Sequence, residues 1–542
     1  MTVTAAPVSA APERSAVTGT HVLLRATLKH DGRKFAPWVA IATLLSASSV
    51  LVYPFVFPTE QDRQALAAAV GANPALGLIF GPANDLTTAD GFNAWRTLAL
   101  GGFLAALGAI LAVTRATRGQ EDSGQAELLA ASVMGRGTRL LAGVGMALIG
   151  SVMLGLVAGL VTVACGGDFE SSMLLAATYT ATGWMFAAVA AVAAQIGSDA
   201  RTASSIAVGT LGTLFLLRGF LYSIEAPEWT TWVNPLGWMT ETKPASGNHW
   251  WPLLLAVAFT GIVLALAFTL QSRRDFGQGA VAPRPGPARG KVRSTRALAA
   301  FINRGPFITW SIAFVAIGSI FGFFTASVPD LLGSNSSIQQ LLASGATTPE
   351  DLAGAFLVTI LSLVGIIASV AGVQVMVKVR SEELEDRVEP VIATAIRRQR
   401  YWGSNVRQAL LTSTVCVVIA GTLISLLASR ADLGLTFGDA FLQVLATVPA
   451  VWTVVAVSVA VVGARPHVIV AAWVGVLLSF VLTLLGPTFG LPDWALGISP
   501  FWHVPHTGAE SVDWSGLAWI SLFTLGFIAV GFGGFRRRDL AR

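Results

Sequence analysis

Residues 140–165 read LLAGVGMALIGSVMLGLVAGLVTVAC, an unbroken apolar stretch without one charged side chain. A bilayer's hydrocarbon layer is about 30 Å thick and an α-helix rises about 1.5 Å per residue, so roughly 20 such residues suffice to cross it. The pattern recurs on either side. Charge-free runs occupy 37–57, 97–114, 173–196 and 250–270, and a run at 202–222 carries only Arg218. A second series follows at 306–328, 352–377, 408–429, 441–463, 468–485 and 514–535. The expected fold is an all-α polytopic membrane protein of about twelve transmembrane helices, arranged as two tandem six-helix halves.

Composition supports this class. Of 542 residues, 54% are hydrophobic and 12% charged, about half the charged share of a soluble domain. The net charge of +5 reflects topology and not nucleic-acid binding. With the N-terminus inside, five basic residues (Arg63, Arg96, Arg218, Lys243, Arg430) of the 35 fall outside, leaving 30 inside. Such a bias orients membrane proteins, so both termini are expected in the cytoplasm. Cys165 and Cys416 lie in or beside apolar runs and offer neither a disulfide framework nor a zinc spacing. No apolar core with a cleavage site lies in the polar first 36 residues, so no cleaved signal peptide is expected.

The expected organisation is a cytoplasmic N-terminal segment with an interfacial elbow helix (1–36), a first transmembrane half (37–270) and a basic, Pro-containing linker with a second elbow helix (271–305). A second half (306–535) and a basic tail (536–542) follow. Linker residues such as Arg284, Arg289, Lys291 and Arg293 are suited to lie near anionic lipid headgroups.

The halves repeat. A basic amphipathic stretch runs from Arg25 to Trp38 and again from Arg296 to Trp310. Pro235-Leu236-Gly237-Trp238 is matched by Pro500-Phe501-Trp502-His503, and Arg273-Arg274-Asp275 by Arg537-Arg538-Asp539. Between helices 2 and 3, Arg118, Glu121, Glu127 and Arg136 fall at one constant offset on Arg380, Glu383, Glu389 and Arg398. Ala126, Leu129, Ala130, Val133 and Met134 match Val388, Val391, Ile392, Ala395 and Ile396, the spacing of one helical face. Each half is therefore expected to present a short inner helix, acidic at its start and basic at its end, which suits the helix dipole. Lipid-lying helices favour Lys and Arg on their polar face. Leading carboxylates point instead to a basic groove on a partner protein.

Enzyme chemistry is missing from the sequence. Gly286–Val292 imitates a phosphate-binding loop but is one residue short and lacks Ser or Thr after Lys291. No HExxH or CxxC occurs, so no catalytic residue and no metal site is expected. Ion-coupled carriers place ionisable groups inside the bundle; here only Arg218 falls within a span. It has two readings, pairing with Glu225 at the membrane edge or lining an outer gate.

These features resemble the permease subunit of ABC-2 type exporters (type V exporter-like), and most closely the fused actinobacterial permeases of tetronasin or polyketide-antibiotic exporters. Gly124, Glu127 and Arg136 fit the family's motif, whereas Ser132 stands where the family often has Pro. In the second copy Pro390 replaces Leu128. The resemblance implies a pseudo-dimer standing on two copies of a separate ABC ATPase subunit, which would bind ATP and Mg2+; this chain would bind no cofactor. Coupling would fall to Glu121, Asp122, Glu127, Leu128, Leu129 and Arg136 and to Glu383, Glu389, Val391 and Arg398. Helices 2 and 5 of each half would line the path, with Phe103, Phe215, Arg218, Phe356 and Phe480 as candidates. The cargo would be a hydrophobic or amphipathic small molecule, an antibiotic, drug or lipid. Two other readings stay open, a proton-coupled twelve-helix carrier and a non-transporting membrane scaffold.

Overall fold

A computed structural model describes residues 18–71, 77, 80–130, 135, 137–223, 226–273, 290, 292–326, 349–430, 436–485, 492–507 and 512–539. Every regular element among them is helical, and twelve helices are long and apolar enough to cross a membrane. They are α1 (Ala36–Val56), α2 (Ala89–Thr114), α3 (Thr138–Ala164), α4 (Phe169–Ile196), α5 (Ala200–Ser223) and α6 (Pro252–Ser272). The second series is α7 (Thr295–Ala326), α8 (Pro349–Leu384), α9 (Arg398–Ala428), α10 (Phe437–Ala464), α11 (Pro466–Thr483) and α12 (Ser515–Arg537). Each of the twelve apolar runs of the sequence falls on one of these helices over most of its described length.

The chain divides into two compact units, Met1–Gly286 and Pro287–Arg542. Within the first, α4 packs against α2, α3, α5 and α6, and α1 against α2 and α3. Within the second, α10 packs against α8, α9, α11 and α12, and α7 against α8 and α9. The pairings repeat helix for helix.

Lipid is as apolar as leucine, so membrane helices associate through close packing of small residues and interhelical hydrogen bonds. Both are present. A methyl added at Gly318 of α7 would sit 2.6 Å from Ala420 Cα of α9, and one at Gly531 of α12 the same distance from the Val459 carbonyl oxygen of α10. In the first unit, Thr162 donates to Ser46 at 2.8 Å, Asn93 donates to Ser46 at 3.0 Å, and the Tyr179 hydroxyl donates to Thr97 at 2.7 Å. That chain of bonds joins α1, α2, α3 and α4.

Helix starts are capped where the first backbone N–H groups lack intrahelical partners. Thr88 caps α2 and Asp168 caps α4. Backbone and hydroxyl hydrogen bonds from Ser171 hold the Asp168 carboxyl below its ordinary range. The stabilisation from this cap is therefore complete above the unfolded Asp value of about 3.9 and is lost as pH falls through the lower folded value. Asp168→Ala is expected to cost about 1 kcal/mol at neutral pH and much less in strong acid, read as the gap between variant and parent melting temperatures.

The repeated Pro motifs also fold alike. Pro235 opens the short helix Pro235–Thr240 and Pro500 the 3-10 turn Pro500–His503, each at a first position that needs no backbone donor. Asn234 and Ser499 cap them, accepting from the backbone N–H of Leu236 (3.0 Å) and Phe501 (3.3 Å).

The elbows differ. The first, Thr20–Asp31, is set off from α1 by a 3-10 turn at Gly32–Phe35, whereas the second continues without a break into α7, with Pro306 inside the helix.

Candidate functional site: paired hairpins after α2 and α8

The two acidic segments fold as matching hairpins. At the end of α2 the backbone widens into one π-helical turn, Arg115–Gly119, followed by the helical turn Gln120–Asp122. Arg118 is buried, and its Nε donates to the Ala194 carbonyl at 2.5 Å. That carbonyl is among the last four of α4, which lack helical partners. Arg118 Nη1 also pairs with Glu121 at 2.8 Å, and Arg139 reaches the other Glu121 oxygen at 3.4 Å from α3.

In the second unit Arg380 Nη1 lies 3.1 Å from Glu383, again three residues apart. The second guanidinium on Glu383 comes from Arg538, just beyond α12, at 2.5 Å. Arg398 in turn donates to the Arg538 carbonyl at 3.2 Å. The Glu383 side chain is 1% exposed.

The turn that follows is also repeated. Gly124 takes a left-handed conformation (φ +74°), and so does Asp386 (φ +56°) at the equivalent position. Asp is one of the few L-residues that tolerates this region. The N–H of Gly124 donates to the Glu121 carbonyl at 3.1 Å and that of Asp386 to the Glu383 carbonyl at 3.2 Å. One apolar residue then plugs each hairpin, Ala126 in the first and Val388 in the second, both buried. Immediately after it, Glu127 and Glu389 are exposed.

The expected site residues therefore separate. Glu121 and Glu383 are internal braces. The Asp122 carboxylate accepts from the Ala200 N–H at 2.8 Å and so ties the hairpin to the start of α5. Glu127 and Glu389 are the carboxylates that face outward. Leu128 and Leu129 continue the helix Gln125–Ala130; their side chains, and Arg136 altogether, lie outside the described residues. Val391 packs against the core formed by Val388, Tyr401 and Trp402.

In the second copy the amphipathic helix expected over 388–396 is one turn, Glu389–Ile392. Pro390 is no obstacle, because it sits in the first turn where its missing N–H costs nothing. The stop comes later. The Thr394 hydroxyl donates to the Val391 carbonyl at 2.7 Å, and the chain leaves the helix before Ile396, an example of a local side-chain bond competing with the helical ladder. Ala395 is accordingly exposed.

The path candidates fall in both units. Phe103 of α2 and Phe215 of α5 meet edge to face with ring centroids 5.2 Å apart, and the Arg218 guanidinium lies 5.0 Å above the Phe215 ring. Phe356 packs partly buried against the core of the second unit, and Phe480 on α11 is 40% exposed. Glu225, an expected partner of Arg218, lies outside the described residues. Among the described residues no group of three His, Cys, Asp or Glu side chains could hold a metal ion.

Sequence reasoning missed Arg139 and the role of Arg538. Arg538 was within reach, because it belongs to a repeated Arg-Arg-Asp motif; Arg274, its equivalent in the first copy, lies outside the described residues. Arg139 had no such signal.

Residues 63–270 and 292–536 match the family described as "Multidrug efflux system permease Rv1217c, C-terminal domain". The "Multidrug efflux system permease protein Rv1217c" of Mycobacterium tuberculosis (strain ATCC 25618 / H37Rv) is 33% identical over 546 residues, covering 98% of this chain and 97% of the relative. The chain belongs to the Rv1217c multidrug efflux permease family. As a member of that family it is a multi-pass membrane protein and the permease subunit of an exporter, a transport subunit and not an enzyme. The two matched segments of this Rv1217c-type permease are separated by residues 271–291, a stretch rich in Arg and Pro.

Proposed function

We propose that this permease is of the ABC-2 type and is driven by two copies of a separate ABC ATPase subunit, one docked on each hairpin. The observation that carries the reading is the repeated construction itself. Each half builds a braced Arg–Glu pair, a left-handed turn and an apolar plug, and each ends by presenting an exposed carboxylate, Glu127 or Glu389. A carboxylate fixed this way suits a basic groove on a protein better than an anionic membrane surface.

In this reading ATP and Mg2+ stay on the partner, and both termini face the cytoplasm. Nucleotide-driven closure of the ATPase pair pushes on the hairpins, and each half passes the push through its buried brace to the helices above. The cargo is hydrophobic or amphipathic, because the spans offer few charged groups to an ion or a sugar. The expected division into a first half (37–270), a linker (271–305) and a second half (306–535) assigns one docking site to each half.

The test is to co-express the ATPase with Glu127→Ala, Glu389→Ala or both. Drug-stimulated ATP turnover is expected to fall about tenfold in each single variant and about a hundredfold in the double variant. Two charge-assisted contacts of about 1.5 kcal/mol each would account for that loss. Membrane insertion should be unchanged. Undiminished turnover in the double variant removes the docking assignment.

A further inference from the structure

A groove between α1 and α3 begins at the first elbow and ends partway across the membrane. It holds about 600 Å3, and among its described lining residues Thr43 brings the only polar side chain. Ala36, Ala40 and Leu44, four residues apart, form one wall, the spacing that puts side chains on one helical face. The facing wall is the side of α3 from Met146 to Val157. Those eleven steps cover about 16 Å at 1.5 Å per residue. That is the depth of one leaflet, half of a hydrocarbon layer about 30 Å thick. A helix from a second copy would need contact along a whole span, whereas one acyl chain needs only this depth.

Charge is gathered at the near end. Leu28 and Gly32 line the groove there, and the residue that follows each, Lys29 or Arg33, is exposed. Arg25, one helical turn before Lys29, is exposed as well. The single carboxylate of this stretch, Asp31, pairs with Lys34 at 2.5 Å, so the elbow keeps a surplus of positive charge. Basic side chains at this level attract anionic headgroups, and their long stems let them lie on apolar surface while the charge reaches a phosphate. The elbow is also fastened to α3. The Thr18 carbonyl accepts from the Gly135 N–H at 3.1 Å and from the Thr138 hydroxyl at 2.8 Å.

We propose that this groove binds one anionic phospholipid, a single acyl chain lying between α1 and α3 and the phosphate held by Lys29 and Arg33. The bound lipid pins the elbow, and through Thr18 the residues that follow the first hairpin, to the membrane. Binding needs neither ATP nor a partner subunit, so the site stands apart from the docking reading.

The test uses the delipidated full-length chain in detergent. Native mass spectrometry counts the first lipid taken up from dioleoyl phosphatidylglycerol or dioleoyl phosphatidylcholine. Lys29→Gln/Arg33→Gln is expected to weaken phosphatidylglycerol binding about thirtyfold, the scale of two basic residues at an anionic headgroup, and to spare phosphatidylcholine. Ala40→Phe, which fills the groove from an exposed position, is expected to weaken both lipids by about tenfold or more and to leave the melting temperature in detergent unchanged. Arg536→Gln/Arg537→Gln, an exposed basic pair on the second unit, controls for net charge and should alter neither lipid. An equal loss of phosphatidylglycerol in that control, or unchanged binding in either groove variant, overturns the proposal. A changed oligomeric state in Ala40→Phe with lipid binding intact assigns the groove to a second copy and overturns it too.

Discussion

Glu383→Ala is expected to destabilise the second unit by about 3–5 kcal/mol, the cost of leaving buried charge without its counter-ion. The carboxylate is 1% exposed and lies within 3.1 Å of Arg380 and 2.5 Å of Arg538, whose side chains are 9% and 13% exposed. Removing it leaves two largely buried guanidiniums without their shared carboxylate. Arg538→Ala should cost less, because Arg380 still pairs with Glu383. Thermal unfolding in detergent and the yield of folded protein read the difference. Glu121→Ala should be milder than Glu383→Ala, since Glu121 is 10% exposed and its second arginine is at 3.4 Å. A Glu383→Ala protein that melts with the parent would show that the brace contributes nothing.

The second large effect is steric. Gly531→Leu is expected to separate α12 from α10, because the first added carbon already sits 2.6 Å from the Val459 carbonyl oxygen. Backbone cannot move aside as a side chain does. Overpacking of this kind costs about 1–3 kcal/mol and sometimes more. Gly526 on the same helix provides the control, since a methyl there meets nothing within 4 Å. Gly526→Leu should unfold with the parent. If both variants behave alike, close packing is not what holds these helices together.

The twelve helices were legible because crossing lipid demands a long apolar run. Their ends were not. α2 begins at Ala89, eight residues before its charge-free run, and α9 at Arg398, ten before its own. In both cases polar side chains continue the helix because they find partners inside it. Asn93 bonds to Ser46, and Ser404 donates to Thr295 at 2.8 Å. Hydropathy counts such residues as solvent-facing, and only the neighbouring helix shows otherwise.

The hairpins were half legible. A constant offset aligned their residues, including Gly124 with Asp386, but could not separate the carboxylates that brace from those that face outward. Glu121 and Glu127 look alike in the sequence. Their difference depends on Arg118 and Arg139, which come from two helices. The early end of the second copy's helix depends on a Thr394 hydroxyl, a local contact that periodicity does not register.

Asp122 bonds to the first residue of α5, whereas in the second hairpin Leu384, whose side chain carries no acceptor, holds the equivalent position. In the proposed coupling α5 would act as a connecting rod, gripped at the hairpin through Ala200. α11 starts differently, with a kinked 3-10 turn that would absorb a thrust before relaying it. If the proposed ATPase strokes are equal in force, the two halves would travel unequally, the first further than the second.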